Sequence, residues 1–249
     1  MVVPSVSTCI WFVSTEADIT TDPVVISPNT TGNVVPGLAV FCIPLKLNDS
    51  LGSASLSGGS GKGNNKVHPK IPFIIDSIDK AEKKESNYTG VSIEALTSDI
   101  TRNFLNNICS YEGTKYLEVG VYAGGTFYSA LQNNNIKGYA IDDFEKAYAP
   151  WRDDIEFVGH KDPKKAFLQP PWWPDKRYDF ELLEGKVIDI TVPEKCNVIF
   201  YDADHDPLQQ YKNINHLLQF CEDEFILLVD DANMPGAVSY THLTLPTKA

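Results

Sequence analysis

The sequence predicts an α/β protein built on a doubly wound parallel sheet, because two patterns coincide between residues 116 and 229. Five short apolar runs alternate with stretches of helical periodicity. Each run is apolar along most of its length, as expected for strands that are covered on both faces. The runs, taken as successive strands, are Tyr116–Val119, Gly138–Ile141, Phe180–Leu183, Val198–Tyr201 and Phe225–Val229.

Three helices are predicted around these strands. The first lies near Ser92–Ser110, where apolar residues recur at steps of three and four. The second follows the first strand, at Thr126–Gln132. The third follows the fourth strand, where five side chains share one helical face: Leu208, Tyr211, Ile214, Leu217 and Cys221. This alternation of strands and helices predicts helices on both faces of the sheet.

The α/β domain is assigned to residues 86–237, and the sequence on either side has a different character. Residues 1–70 are rich in Ser, Thr, Val, Pro and Gly, and residues 51–66 have the composition of a flexible linker. This region is either a low-complexity extension with a few short strands, such as Pro23–Ile26 and Leu38–Ile43, or a segment that is not native to the protein. The tail 238–249 includes Val238–Thr247, which resembles a translated sequencing adapter. The domain is therefore expected to be truncated, with its fifth strand as an unpaired edge.

Charge and composition restrict the partners. The chain carries 33 acidic and 21 basic residues, a net charge of −12, so nucleic acids and membrane surfaces are not expected as partners. Five widely spaced cysteines without a CxxC pair argue against a disulfide framework and against a zinc site. No apolar run approaches the roughly 18–20 residues of a bilayer span, and the first residues lack a basic leader. A cytoplasmic location is predicted.

The first motif is the turn YLEVGVYAGGTF, residues 116–127. A buried strand ends in Glu118 and then bends through Gly120, Gly124 and Gly125 into a helix. Glycines allow positive φ angles and a close approach of the backbone to a ligand, and the helix start offers N–H groups to a carboxylate. Tyr122 occupies the second glycine position of a dinucleotide-binding turn, which argues against NAD. The alternative is a purely structural turn.

The second motif is the strand GYAIDDF, residues 138–144, which ends in Asp142. An acid at the end of the second strand can accept hydrogen bonds from both hydroxyls of a ribose. Asp143, its neighbour, is able to share or replace that role. The alternative is an acid that is simply exposed at the end of a strand.

The third motif consists of acids that follow the fourth and fifth strands. Asp202 and Asp204 follow the fourth strand, and Asp230 and Asp231 follow the fifth. The carboxyl ends of parallel strands face one crevice, so these acids are expected to converge and to repel one another. A divalent cation such as Mg²⁺ relieves this repulsion, and so does protonation of one carboxyl or splaying of the acids into solvent.

Taken together, YLEVGVYAGG, AIDDF, FYDADHD and LLVDDAN resemble the class I methyltransferases that use S-adenosylmethionine (SAM), and most closely the small-molecule O-methyltransferases of the methyltransferase domain 24 and macrocin types. The resemblance covers about 120 residues. It implies a Rossmann-like sheet of seven strands. Five of these strands are recognised here, in the order 3-2-1-4-5, and the last two are missing.

The resemblance also implies roles for individual residues. Glu118, Gly120 and the turn through Tyr122, Gly124 and Gly125 would hold the methionine end of SAM. Asp142, with Asp143, would hold the ribose.

The acids of the third motif receive the remaining implied roles. Asp202 would contact the cofactor and would also bind Mg²⁺ together with Asp230 and Asp231. Asp204 would act as the catalytic base, and His205 is a second candidate. Lys186 stands where an acid often contacts the adenine region, so no adenine ligand is named.

The expected acceptor is a hydroxyl of a small molecule or a sugar. One rival hypothesis is a glycosyltransferase in which Asp202-Ala203-Asp204 is a D-x-D motif that holds Mn²⁺ and a nucleotide sugar. Another is an inactive SAM-binding domain. The long segment Glu145–Asp179, which contains Trp151, Trp172 and Trp173, is either a lid over the acceptor or a cover for the edge of the sheet.

Overall fold

A computed structural model of the chain describes residues 10–11, 39–43, 70–90, 97–145, 162–169 and 178–230. The strands are β1 (Ile10–Trp11), β2 (Ala39–Ile43), β3 (Lys115–Val119), β4 (Lys137–Asp142), β5 (Asp179–Glu184), β6 (Cys196–Tyr201) and β7 (Cys221–Val229). The helices are α1 (Lys70–Glu82), α2 (Asp99–Cys109), α3 (Gly125–Leu131), α4 (Pro163–Leu168) and α5 (Pro207–Leu217). Asp231 and the predicted tail lie outside the described residues.

The strands form one sheet in the order β1-β2-β7-β6-β3-β4-β5. Strands β3 to β7 are mutually parallel. When these five are counted along the chain, their order across the sheet is 3-2-1-4-5, and the predicted fold class is confirmed. All five predicted strands are present, although each begins one to four residues earlier than predicted, since pairing extends them beyond their apolar segments.

The outer edge of β7 is covered. Strand β2 pairs with it in antiparallel orientation, from Ala39 opposite Val229 to Ile43 opposite Phe225, and β1 pairs with β2 in parallel. The prediction of an unpaired fifth strand is therefore wrong. The apolar run at Leu38–Ile43 is one of the pieces for which a short strand was an open alternative, and a strand's partner is not encoded in its own residues. Pairing satisfies the backbone N–H and C=O groups that an open edge would expose.

Helix α1 precedes Ser86, the first residue of the predicted domain. Helix α1 packs against α2 and buries Ile74, Ser77 and Ala81. The Asn107 side-chain amide donates hydrogen bonds to the Ser77 carbonyl at 3.2 Å and to the Glu85 carbonyl at 3.0 Å. Helix α2 begins at Asp99, behind a Ser98 cap whose hydroxyl accepts the Thr101 N–H. The earlier part of the predicted helix falls mainly on residues 91–96, which lie outside the described residues.

The sheet has a separate core on each face. Tyr116, Phe127 and Phe200 belong to the core beneath α2 and α3. Leu117, Tyr139 and Tyr201 belong to the core on the α5 side. Helices on both faces are the arrangement that was predicted. In the described part of the chain no helix is long and apolar enough to cross a membrane, and the longest, α1, has 13 residues.

The predicted apolar face of α5 is only partly correct. Leu217 is buried, but Leu208 is 61% exposed and Cys221 is the first residue of β7 rather than a helical residue. Helix α5 buries the polar side chains of Gln210 and Asn213 instead. Periodicity finds apolar faces and therefore misses a helix that turns polar side chains inward.

An aromatic cluster joins α4 to the sheet. The Phe167 ring stacks on the Tyr128 ring with centroids 5.4 Å apart, and both rings meet Phe180 edge-on. The Tyr128 hydroxyl donates to the Phe167 carbonyl at 2.6 Å. Helix α4, in the described part of the segment between β4 and β5, thus packs over the sheet. Trp151, Trp172 and Trp173 lie outside the described residues.

Candidate functional site

The site lies where strands β4, β3, β6 and β7 end together. The last paired residues of these strands align: Val119 lies opposite both Ile141 and Tyr201, and Tyr201 lies opposite Val229. The residues that follow or close the strands form a row across the sheet, in the order Asp142, Gly120, Asp202, Asp230. Strand order reverses beside β3, since β4 lies on one side and β6 on the other. Ligands of open α/β sheets bind in the crevice at such a point.

Gly120 brings two segments of this edge into contact. Its φ is +87°, and a Cβ built at this position would lie 1.9 Å from the Asp202 carbonyl oxygen and 2.6 Å from the carbonyl carbon. The Asp202 N–H donates to the Val119 carbonyl at 2.8 Å, so the segment after β6 is held tightly against the turn. A side chain at position 120 would separate the two segments, and glycine is required here.

The turn is also bound directly to Asp142. The Tyr122 N–H donates to Asp142 Oδ2 at 2.7 Å, and the Phe144 N–H donates to Oδ1 at 2.7 Å. Burial raises the pKa of Asp142 above its ordinary value, although the N–H donors oppose this effect. Tyr122 adopts a left-handed conformation with φ of 48°, which is uncommon for a bulky residue. The predicted proximity of the glycine turn and Asp142 is therefore observed.

Asp143 is involved in a different local contact. Its side chain is partly buried, and its Oδ1 accepts the Glu145 N–H at 3.0 Å. The carboxylate therefore bends back onto its own turn. Of the two acids, only Asp142 accepts a hydrogen bond from the glycine turn in the described structure.

Glu118 lies beneath the turn and not on its surface. The side chain is fully buried, and its two oxygens accept hydrogen bonds of 2.5 Å, one from the Tyr116 hydroxyl and one from the Thr126 hydroxyl. Burial raises the pKa of the Glu118 carboxyl to about 8, against the lowering effect of the two hydroxyl donors. The carboxyl thus joins β3 to the first turn of α3. Its contribution to a bound ligand would act through the position of the turn, which differs from the direct contact that the resemblance implies.

Gly124 has a packing role. Its φ is +88°, and a Cβ there would lie 2.7 Å from the Tyr128 ring and 2.8 Å from the Phe167 ring. Gly125, the first residue of α3, is buried, and its carbonyl accepts the Ser129 hydroxyl. The glycine-rich pattern predicted a close approach of ligand to backbone. At Gly124 the close neighbours are instead aromatic side chains of the core.

The segment after β6, Asp202–Asp206, is called the acidic loop below. Asp202 and Asp204 are partly buried, whereas His205 is exposed. Asp204 Oδ1 accepts the Asp206 N–H at 3.0 Å, and the Asp204 carbonyl accepts the Tyr201 hydroxyl at 3.2 Å. Both candidate bases, Asp204 and His205, therefore lie on a loop that starts at the crevice.

The predicted metal site is not formed by the described residues alone. Within the ranges that the structure describes, no group of three or more His, Cys, Asp or Glu side chains is arranged to hold a metal ion. Asp202 and Asp230 follow neighbouring strands, and the Asp230 N–H donates to the Tyr201 carbonyl at 3.0 Å. Asp231, the third predicted ligand, lies outside the described residues.

Four supporting residues were not predicted: Tyr116, Thr126, Tyr201 and Asn213. Tyr116 and Thr126 donate hydrogen bonds to Glu118, and a hydroxyl residue directly after the glycine bend was an available signal for Thr126. Tyr201 and Asn213 are buried and bonded to each other. Tyr201 ends an apolar strand and Asn213 interrupts an apolar helical face, so neither has a signal in the sequence that distinguishes it from packing.

No family model matches this chain, and no curated protein matches it. Solved structures with a similar fold include the O-methyltransferase NovP, at 20% identity over 57% of this chain and 69% of that chain, with a TM-score of 0.40. The SAH-bound methyltransferase PaMTH1 of Podospora anserina is 12% identical over 63% of this chain and 61% of that chain, with a TM-score of 0.39. Protein arginine methyltransferase 10 of Arabidopsis thaliana is 21% identical over 49% of this chain and 31% of that chain, with a TM-score of 0.35. The chain thus spans about a third of the arginine methyltransferase and about three fifths of PaMTH1.

Proposed function

We propose that this chain carries the cofactor-binding part of a SAM-dependent methyltransferase, whose acceptor is a hydroxyl of a small molecule or a sugar. The observation that carries the proposal is the direct hydrogen bond from the Tyr122 N–H in the glycine turn to the Asp142 carboxylate. It joins the two motifs at the carboxyl edge of the sheet, beside the strand where the order reverses.

The chemistry of this edge suits the groups that SAM carries. Asp142 Oδ2 accepts the Tyr122 N–H and Oδ1 accepts the Phe144 N–H, and the Val121 N–H also stabilises this carboxylate. A carboxylate has about four acceptor positions, so Asp142 retains capacity for a ribose hydroxyl. Asp142, Asp202 and Asp230 form an acidic row that favours a cationic ligand over a diphosphate. When bound, SAM supplies a methyl group on a sulfonium centre.

The protein's own contribution would be orientation and proton removal. Gly120 lets the turn and the acidic loop approach each other, so a ligand on the turn and an acceptor at the loop would be close neighbours. Asp204 and His205 are the proposed proton acceptors for the hydroxyl that is methylated. The requirement for Mg²⁺ stays a prediction, since one proposed ligand, Asp231, lies outside the described residues.

The proposal predicts that Asp142→Asn weakens SAM binding by about 10- to 100-fold. This range corresponds to the roughly 1.5–3 kcal/mol of a hydrogen bond to a charged group. Titration calorimetry with SAM measures the change. Asp143→Asn is the matched control, because that neighbouring carboxylate accepts a hydrogen bond from the Glu145 N–H and none from the glycine turn. We expect less than a threefold effect in the control.

Two outcomes would contradict the proposal. One is equal SAM affinity in both variants. The other is a wild-type protein that ignores SAM but binds a UDP-sugar with Mn²⁺, which would favour a glycosyltransferase. Transfer of labelled methyl groups to hydroxylated small molecules and sugars, with Mg²⁺ or with EDTA, then tests the acceptor class and the metal requirement.

A further inference from the structure

Five hydrogen bonds form a closed ring that joins the acidic loop to the end of β6 and to α5. The Tyr201 hydroxyl donates to the Asp204 carbonyl at 3.2 Å and accepts the Asn213 side-chain amide at 3.1 Å. The Asn213 side-chain carbonyl accepts the Gln209 side-chain amide at 2.8 Å. The Gln209 N–H donates to Asp206 Oδ1 at 3.0 Å, and the Asp206 N–H donates to Asp204 Oδ1 at 3.0 Å. The ring therefore joins the end of β6, the acidic loop and the first two turns of α5.

The buried members of this ring are placed against the usual preference of a helix. Asn213 is 5% exposed, whereas Leu208 on the same helix is 61% exposed. Burying a side-chain amide is costly unless its donors and acceptors are satisfied, and burying a leucine is favourable. A helix that served only to cover the sheet would bury the leucine. The burial of Asn213 in place of Leu208 indicates that Asn213 does more than fill space in the core. Its side chain forms hydrogen bonds with Tyr201 and Gln209.

The ring includes residues of the acidic loop, and this loop contacts the glycine turn. The Asp202 carbonyl, directly after Tyr201, lies against Gly120, where not even a Cβ would fit. A displacement of the acidic loop is therefore transmitted to the glycine turn through this contact. It also moves Asp204, whose carbonyl and Oδ1 are both bonded within the ring.

We infer that Tyr201 and Asn213 are positioning residues, whose buried hydrogen bonds hold the acidic loop against the glycine turn and so set both the affinity for SAM and the location of Asp204. The effect of these residues on catalysis rests on the proposed function. Their effect on the position of the acidic loop can be measured without any ligand.

The test is Tyr201→Phe, with Tyr139→Phe as its matched control. Both tyrosines are fully buried in the same core, and each variant removes one hydroxyl. The Tyr139 hydroxyl, however, donates to Glu194, which is bonded to Lys115 and Lys137 at the other end of β3 and β4. A structural role alone would lower stability in both variants and leave the folded site unchanged.

Two measurements on the folded proteins separate these possibilities. Calorimetry with SAM should show an affinity about fivefold lower in Tyr201→Phe, which corresponds to roughly 1 kcal/mol for one hydrogen bond. NMR should show at least fivefold faster exchange of the Asp206 and Gln209 amides, which lie in the ring. Tyr139→Phe should change each quantity by less than twofold. Equal behaviour of the two variants would overturn the inference.

Asn213→Leu provides an independent check, because leucine has the same number and branching of side-chain heavy atoms as asparagine but no hydrogen-bonding groups. If Tyr201 and Asn213 act through one ring, the double variant should lose little more SAM affinity than either single variant. Fully additive losses would contradict the ring. If the wild-type chain does not bind SAM, the proposed function fails, and amide exchange in Tyr201→Phe against Tyr139→Phe alone decides whether the ring holds the loop.

Discussion

Replacing Gly120 with alanine adds one methyl group at the tightest point of the site. The new Cβ would lie 1.9 Å from the Asp202 carbonyl oxygen, a distance that must grow to 3.0 Å or more before the contact becomes tolerable. The neighbouring atoms belong to the backbone, so no side chain can rotate out of the way. Either β6 and the acidic loop move as a unit, or the glycine turn opens away from Asp142.

Two effects lower the free energy of unfolding of Gly120→Ala. The φ of +87° imposes backbone strain on any residue with a Cβ, of about 1–2 kcal/mol. Overpacking a closely packed site typically adds about 1–3 kcal/mol. Together they predict that the free energy of unfolding falls by about 2–5 kcal/mol, which is a large share of the roughly 5–15 kcal/mol that stabilises an ordinary domain.

Gly113→Ala separates the two effects. Gly113 has a similar φ of +79°, but a Cβ there would have nothing within 4 Å, so this variant carries only the backbone strain. Urea unfolding followed by circular dichroism should therefore place Gly113→Ala about 1–2 kcal/mol below the wild type, with Gly120→Ala lower still. Calorimetry should show a SAM affinity reduced at least tenfold in Gly120→Ala alone. Similar stabilities and SAM affinities in the two variants would refute the proposed contact between Gly120 and Asp202.

Two further predictions concern charge. Because the folded pKa of Glu118 is about 8, above the ordinary 4.5, its stabilising contribution is complete below pH 4.5 and declines as the pH rises toward 8. Urea unfolding between pH 5 and 8 should show a loss of up to about 1.4 kcal/mol per pH unit that Glu118→Gln lacks, and equal slopes would contradict the buried carboxyl. Hydrogen bonds from Tyr139 and from the Lys115 and Lys137 ammonium groups lower the pKa of Glu194 to about 2, so its contribution is present above pH 4.5 and disappears as the pH falls toward 2. Glu194→Gln should lower the free energy of unfolding by up to about 1 kcal/mol at pH 7 and by much less near pH 2, whereas Glu224→Gln, at a looser 3.7 Å contact with Lys70, should change little at either pH.

Much of the fold could be read from the order of residues along the chain. The five parallel strands and α3 were predicted because apolar runs and helical periodicity are local properties. The proximity of the glycine turn and Asp142 was predictable as well, since the carboxyl ends of parallel strands meet at one edge.

The partner of an edge strand was not predictable. Strand β2 was recognised only as a short apolar run, and its pairing with β7 depends on two segments that are distant in sequence. Similarly, α5 buries polar side chains where the spacing of its apolar residues predicted an apolar face. Asn213 is buried because it forms a hydrogen bond with Tyr201, which lies on another element.

Within the site, too, the contacts of individual residues could not be predicted from the sequence. The sequence by itself determined that Glu118, Gly120 and Gly124 belong to one bend between a strand and a helix. Only the tertiary structure decided that the Glu118 carboxyl lies beneath this bend, that Gly124 faces aromatic rings, and that Gly120 faces the backbone of the acidic loop. The physical reason is that a motif specifies backbone conformation locally, whereas the neighbours of each side chain are supplied by strands and helices from elsewhere in the chain.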